Sequence, residues 1–293
     1  MRVLVTGHLG LIGSEVCAQL LDSGIKPRGL DWKATGSERG DITSHASVTA
    51  AMSGCSAAVH LASISDTGIV ERSKSASRAI NVGGTRTVLG AAERLGVPMV
   101  YASSREVYGE RCCHLPVIED AELAPVNEYG RQKCECEQMV LSSLLPASVV
   151  RFSNVYGSAR DYPDRVVPAF VRMALAGGEL QVHGLDSAFD FTHVSDAARL
   201  VVMLATRLAG GKEIPPVLNC CTGRATSLRE LADLCCDIAG AGTVALTQPR
   251  SRDPSWFCGS TVRAARFGWR YQIELEDGIR ALAEEYKTHG TID

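Results

Sequence analysis

Short apolar runs alternate with longer amphipathic stretches through the first half of the chain. Val3-Leu-Val5 lies inside a strand-like run from Arg2 to Thr6, and the apolar positions of Leu11 to Asp22 recur at helical spacing. The series continues with strand Arg28 to Asp31, helix Ser47 to Met52, strand Ala57 to Leu61, helix Ser77 to Leu95, strand Met99 to Ala102, helix Glu128 to Leu144 and strand Ser148 to Phe152. Such alternation predicts an α/β fold, a doubly wound parallel sheet with helices on both faces. Beyond Asn154 the order breaks down into Pro163, Pro168, Gly177-Gly178, Pro215-Pro216 and shorter helices, including Leu228 to Ile238 and Leu275 to Tyr286. The expected division is a larger domain of residues 1–155, to which 187–212 returns with a helix Val194 to Leu208, and a smaller lobe of 156–186 and 213–293. The smaller lobe is expected over the carboxyl ends of the strands, where doubly wound sheets bind ligands.

Composition narrows the class. With 45% apolar residues in 293, the chain can bury one large core or two unequal ones. Thirty basic against 33 acidic side chains leave a formal charge of −3, so nucleic acid is not an expected partner. Apolar runs such as Ser148 to Phe152 and Leu200 to Ala205 fall far short of the roughly 18–20 residues needed to cross a bilayer. The opening Met-Arg-Val-Leu-Val-Thr-Gly reads as a strand entering a glycine turn, not a secretion signal, and the cytoplasm is the expected location. The eleven cysteines are odd in number and include three adjacent pairs, whose mutual bridging is strained, so reduced thiols are expected. Cys134-Glu-Cys136 and Cys112-Cys113-His114 lack a partner cluster at zinc-site spacing, and no metal is expected.

Candidate chemistry begins at the first strand–helix junction. Gly7-His-Leu-Gly10-Leu-Ile-Gly13 follows the first strand and opens the first helix. Glycines there permit a tight turn, let a pyrophosphate approach backbone amides and allow helix and strand to pack closely, while the helix amino terminus favours negative charge. The spacing is GxxGxxG, for which a mere packing device is the competing reading. Asp31 ends the second strand, placed to accept both hydroxyls of an adenosine ribose and to repel a 2′-phosphate, which favours NAD over NADP. Its competing role is a turn residue before Trp32. Asp41-Ile42 and His60-Leu-Ala-Ser63 stand where the adenine and the rest of a dinucleotide would pass; His60 itself reads as a strand-end packing residue.

Tyr129-Gly-Arg-Gln-Lys133 sets a phenol and an ammonium four residues apart on one helix face. The ammonium stabilises a phenolate, which can take the proton of a substrate hydroxyl as hydride leaves the carbon. Ser104, at the carboxyl end of the preceding strand, is the natural hydroxyl to hold the same oxygen. Joined to the glycine turn, Asp31, Asn81-Val-Gly-Gly-Thr85, Ser103-Ser-Arg-Glu-Val-Tyr-Gly109 and Arg151-Phe-Ser-Asn-Val-Tyr-Gly157, these features resemble the extended short-chain dehydrogenase/reductase superfamily, in its NAD-dependent epimerase/dehydratase branch. The resemblance runs from residue 1 to Phe267-Gly-Trp269.

That resemblance implies a Rossmann-like NAD-binding domain, a substrate lobe, and transient oxidation at C4 of a nucleotide-activated sugar with NAD recycled. It makes Ser104, Tyr129 and Lys133 catalytic. It makes Gly7, Gly10, Leu11, Ile12, Gly13, Asp31, Asp41, Ile42, Leu61, Ala62, Ser63, Asn81, Ala102, Tyr129 and Lys133 the NAD contacts, and Ser104, Arg105, Glu106, Asn154, Val167 and Arg250 the substrate contacts. If the chain stays extended past Ser104, Glu106 points to the same side, where sugar 4,6-dehydratases and uronic acid decarboxylases tend to carry a glutamate beside the C5 proton. Dehydratases often add an aspartate for the departing hydroxyl, and here that place is Arg105. Glu106 is therefore read either as a catalytic base or as a structural partner of Arg105, Arg111 or Arg131.

Phe189 replaces an arginine that relatives use for the nucleotide diphosphate; the loss costs on the order of 2 kcal/mol unless Arg160, Arg165 or Arg250 compensates. His193 reads as a packing residue. The expected function is an NAD-dependent nucleotide-sugar epimerase, the alternatives being a dehydratase or decarboxylase using Glu106 and a dehydrogenase of a free sugar, sugar acid or cyclitol. A non-catalytic NAD sensor is set against by the complete Ser104, Tyr129 and Lys133. Alanine, leucine and valine spread around Ser77 to Leu95 and Glu128 to Leu144 match helices that pair relatives into dimers, so a homodimer is expected.

Overall fold

The computed structural model describes residues 1–110, 116–184, 187–247 and 255–289. The first half runs β1 (Arg2–Thr6), α1 (Leu11–Asp22), β2 (Lys26–Leu30), α2 (His45–Met52), β3 (Ala57–His60), α3 (Thr67–Arg72), α4 (Lys74–Arg78), α5 (Gly84–Leu95), β4 (Met99–Ser104), α6 (Glu128–Ser142) and β5 (Ala147–Phe152). The second half runs β6 (Asn154–Tyr156), α7 (Val166–Leu175), β7 (Glu179–His183), β8 (Ala188–His193), α8 (Val194–Ala209), β9 (Val217–Cys220), β10 (Ala225–Ser227), α9 (Leu228–Ala239), β11 (Thr243–Thr247), β12 (Trp256–Phe257), α10 (Val262–Phe267) and α11 (Leu275–His289).

Six strands form one wholly parallel sheet in the order β2-β1-β3-β4-β5-β9. Both faces are covered, as buried parallel strands require. Val3, Val5, Val100 and Ala102 face a core with α1 and α8, while Leu4, Met99 and Tyr101 face α2, α5 and α6. β1 has β2 on one side and β3 on the other, so the strand order reverses there and a crevice opens at their carboxyl ends. The expected helix Ser77 to Leu95 is interrupted by a π turn, Ala79–Gly83, between α4 and α5.

The smaller lobe is built on β8, flanked by antiparallel β10 and parallel β12 and β6, with α7, α9 and α11 packed on Phe170, Leu231, Ile279 and Leu282. Two assignments from the sequence need correction. Residues 213–293 do not all belong to this lobe: β9 completes the larger sheet beside β5, and Trp269 lies in the α1/α8 core. Residues 187–193 do not return to the larger lobe, because they form β8; the return starts at Val194. The reason is that Val217-Leu-Asn-Cys220 is buried at every position, so nothing in its own pattern tells a central strand from a core segment. Asp190, inside β8, accepts the N–H groups of Thr222 and Gly223, both at 2.8 Å, and so ties the loop after β9 to the smaller sheet. Burial pushes its carboxyl up to about 6 against those donors.

Candidate active site

At the crevice, each glycine of the first turn has its own reason. Gly7 has φ +71°, and a Cβ on it would stand 2.9 Å from the backbone of Ala62. In α1, a Cβ on Gly13 would stand 2.2 Å from the Gly7 carbonyl oxygen. Gly10 caps α1, and an added Cβ there would press to 3.3 Å of that same oxygen, with no other atom within 4 Å. The first-turn amides at Leu11 and Ile12 have no carbonyl one turn back, and no acidic side chain occupies that turn, so they are free to meet an anion. Asp31 lies alongside: its carboxylate accepts Leu9 N–H at 3.3 Å and Lys33 N–H at 3.0 Å. Nearby, His8 Nδ1 is buried without a partner among the described residues. Clear backbone amides, an adjacent carboxylate and an orphaned polar atom fit the diphosphate and ribose of a dinucleotide.

The remaining cofactor candidates divide. Leu61, Ala62 and Ser63 follow β3 half-buried at the crevice, with Leu61 and Ala62 N–H bonded to Thr6. Asp41 is exposed and accepts Thr43 N–H at 2.8 Å, whereas the Ile42 side chain is core, leaving only its backbone for a ligand. Asn81 Oδ1 accepts Ile64 N–H at 2.8 Å and its amide donates to Ile64 O and Gln132, so it clamps the loop after β3 to α6 instead of presenting a free donor. His60 is held between Thr6 at 2.7 Å and Thr85 at 3.1 Å; burial, reinforced by the Lys133 charge, pushes its pKa down to about 3, so it is neutral packing.

The chemical end is formed by β4 and α6. Asn127 caps α6 through Gly130 N–H at 2.8 Å, with Glu128 in the first turn where negative charge is favourable. Tyr129 and Lys133 then face β4. Lys133 is 3% exposed; its ammonium donates to Ala102 O at 2.7 Å and lies 5.5 Å from the Tyr129 ring centre. A cation fixed this way cannot swing to solvent. Ser104 closes β4, and the chain then tightens into a 3-10 turn, Arg105–Tyr108. This overturns the expected extended path. Ser104 acts as the N-cap, its Oγ accepting Glu106 N–H at 3.2 Å, and that cap bends the backbone out of the strand. Glu106 is instead buried with both oxygens engaged, Oε1 3.0 Å from Arg105 Nη2 and Oε2 accepting the Asn127 amide at 2.7 Å. Arg131 pairs with Glu128 at 3.2 Å.

Among the substrate candidates, Asn154 accepts Arg105 Nε–H at 2.7 Å. Val167 is a correction: it belongs to the buried face of amphipathic α7, 2% exposed within the smaller core, so its side chain does not line the crevice. Arg250 and Arg111 lie outside the described residues. Arg165 donates to Ser65 at 2.9 Å and pairs with Asp161 at 3.2 Å. His193 caps α8 by accepting Ser195 N–H at 3.2 Å and meets Tyr156 edge-on, in keeping with packing. The nine described cysteines are free, Cys112, Cys113 and His114 lie outside the described residues, and no group of His, Cys, Asp and Glu among the described residues is arranged to hold a metal.

Residues 3–221 match the model of the NAD dependent epimerase/dehydratase family. The chain belongs to this family. It is 31% identical to dTDP-glucose 4,6-dehydratase of Streptomyces griseus over 98% of this chain and 94% of the relative. It is 28% identical to UDP-glucose 4-epimerase of Rhizobium meliloti, over 94% and 93% of the two chains. Among solved structures, the UDP-glucose 4-epimerase of Thermotoga maritima superposes with a TM-score of 0.90 at 25% identity, covering 99% of each chain. The epimerase/dehydratase family accounts for the glycine turn and for NAD as cofactor.

Sequence reasoning missed the supports of this family member's site. Asn127 both caps α6 and holds Glu106; an asparagine just before Glu128 was a legible helix-start signal. Beneath the site, Arg151 grips both oxygens of Glu137 and donates to Tyr108 Oη and Glu119 O, while Ser103 donates to Glu137. Nothing local marks that network, because its members come from β4, α6, β5 and the segment before α6.

Proposed function

We propose that the protein inverts C4 of a nucleotide-activated sugar, as an NAD-dependent epimerase. The observation that carries this reading is the buried Lys133 ammonium set beneath the Tyr129 ring beside the end of β4, one strand end from Ser104. Tyr129 Oη takes the proton of the sugar hydroxyl, Lys133 offsets the phenolate charge, and the Ser104 hydroxyl, whose oxygen already accepts Glu106 N–H, donates its own hydrogen to the same substrate oxygen. The Gly7–Gly13 turn, the Leu11 and Ile12 amides and Asp31 would hold NAD, which when bound would take the C4 hydride and return it to the opposite face of the ketone as Tyr129 gives back the proton. The relatives named above act on dTDP-glucose and UDP-glucose, which supports a nucleotide sugar as substrate.

Elimination is the second reading, favoured by the dehydratase relative and by Glu106. Against it, Glu106 is turned out of the strand and held by Arg105 and Asn127, and Arg105 stands where dehydratases often carry an aspartate for the departing hydroxyl. The deciding experiment incubates the purified protein with UDP-, GDP-, dTDP- and CDP-glucose while following product mass and NADH absorbance. An epimer of unchanged mass supports inversion, loss of water supports elimination, and accumulating NADH supports net dehydrogenation. Tyr129→Phe should lower turnover by roughly 10²-fold or more while NAD still binds; a fully active variant removes the phenolate mechanism. No helix among the described residues is long and apolar enough to cross a membrane, and the free thiols support a cytoplasmic setting. Exposed Leu95 and Leu141 and the depression lined by Arg78, Val82, Arg86 and Glu135 support pairing of two copies through α4, α5 and α6.

A further inference from the structure

Arg105 follows Ser104 directly, yet its side chain crosses from the larger lobe to the smaller one. The guanidinium carbon lies 4.6 Å from the Phe189 ring centre and 5.9 Å from that of Phe257. Those two residues are cross-strand partners on β8 and β12, so they present one aromatic platform. Nε donates a hydrogen bond to Asn154, and Nη2 forms an ion pair with Glu106 at 3.0 Å. The rest of the guanidinium has no protein partner among the described residues, and none of its nitrogens is a sealed orphan. The side chain is 12% exposed, so part of the guanidinium is left to meet solvent.

Burying an ion pair carries a desolvation cost that two well-packed apolar side chains avoid, so stability alone is a poor reason to keep one here. Stacking on aromatic faces and bonding at two nitrogens fix the plane of the fork, and a fixed fork suits paired anionic oxygens. We propose that Arg105 is the oxyanion-binding residue of the substrate crevice, supplying from the end of β4 the guanidinium that position 189 lacks. Phe189 is its platform and Glu106 its anchor, which makes Glu106 a positioning residue. The ligand chemistry is a pair of anionic oxygens on the sugar nucleotide, carried either by the diphosphate or by a carboxylate on the sugar. This rests on the nucleotide-sugar reading above.

The test measures calorimetric affinities of the NAD-loaded protein for UDP, UDP-glucose and UDP-glucuronic acid, with dTDP and dTDP-glucose in parallel. Arg105→Ala should weaken binding at least about tenfold, Arg105→Lys should recover little of it because an ammonium neither forks nor stacks, and Phe189→Leu should weaken the same ligands less. A loss shared by the bare diphosphates locates the contact on the diphosphate; a loss confined to UDP-glucuronic acid locates it on the sugar carboxylate. Equal affinities across native and variant proteins overturn the assignment. Failure of the native protein to bind any of the five, or GDP- or CDP-glucose titrated beside them, overturns the nucleotide-sugar reading and this inference with it. Glu106→Gln should raise KM severalfold with kcat within about threefold; a loss of roughly 10² in kcat with KM intact would make Glu106 a reacting base and end its positioning role.

Discussion

Arg151→Leu removes a guanidinium that is 4% exposed and bonded to both oxygens of Glu137, at 2.7–3.2 Å, to Tyr108 Oη at 3.0 Å and to Glu119 O at 2.8 Å. Glu137, 2% exposed, would keep only the Ser103 hydroxyl among the described residues. Breaking a buried pair from one side costs about 3–5 kcal/mol, because the remaining charge is left without compensation. At about 2.1 cal/mol/K per residue, a chain of 293 residues has an unfolding entropy near 0.6 kcal/mol/K, so the melting temperature should fall by about 5–8 °C. Calorimetry or circular dichroism at neutral pH reads this directly. Arg151→Leu/Glu137→Leu removes both charges and should melt above the single variant. Activity should follow: Glu137 lies one helical turn beyond Lys133 and Ser103 precedes Ser104, so the network fixes α6 against β4. A displacement of about 1 Å there costs on the order of 10² in rate, and kcat should drop at temperatures where the variant is still folded. A fall of less than about 2 °C, or a double variant melting below the single one, would refute the reasoning.

Lys133→Met keeps the length of the side chain without its charge; kcat should fall by roughly 10²-fold with the far-ultraviolet spectrum retained, and an unaltered kcat would show that the ammonium is only structural. Asp31→Ala should cut the preference for NAD over NADP about tenfold or more in binding titrations, whereas an unchanged ratio would reduce Asp31 to a turn residue. His60 gives a pH signature. Its folded pKa is lowered from 6.5 to about 3, so below pH 6.5 the unfolded chain takes a proton that the folded one refuses. Its contribution is complete above pH 6.5 and is lost as pH falls toward 3, at up to about 1.4 kcal/mol per pH unit. Denaturant titrations of His60→Gln between pH 6.5 and 5 should show a correspondingly shallower slope, and identical slopes would contradict a neutral buried imidazole.

Local pattern was enough to read the alternation of strands and helices, the glycine turn with Asp31 at the crevice, and the Tyr129–Lys133 pair, because each rests on spacing within one or two adjacent elements. The six-stranded sheet followed from that alternation except for β9, whose uniformly buried Val217-Leu-Asn-Cys220 carries no periodicity to announce its neighbours. What lies beyond Ser104 was decided by tertiary contacts. The serine caps a turn in place of continuing a strand, Asn127 reaches back from the start of α6 to Glu106, and Arg105 finds its platform on Phe189 and Phe257, residues 84 and 152 positions further along the chain. A charged side chain has several partners of comparable attraction in a sequence, and only the packing of distant strands fixes which one lies within hydrogen-bond reach once water is excluded.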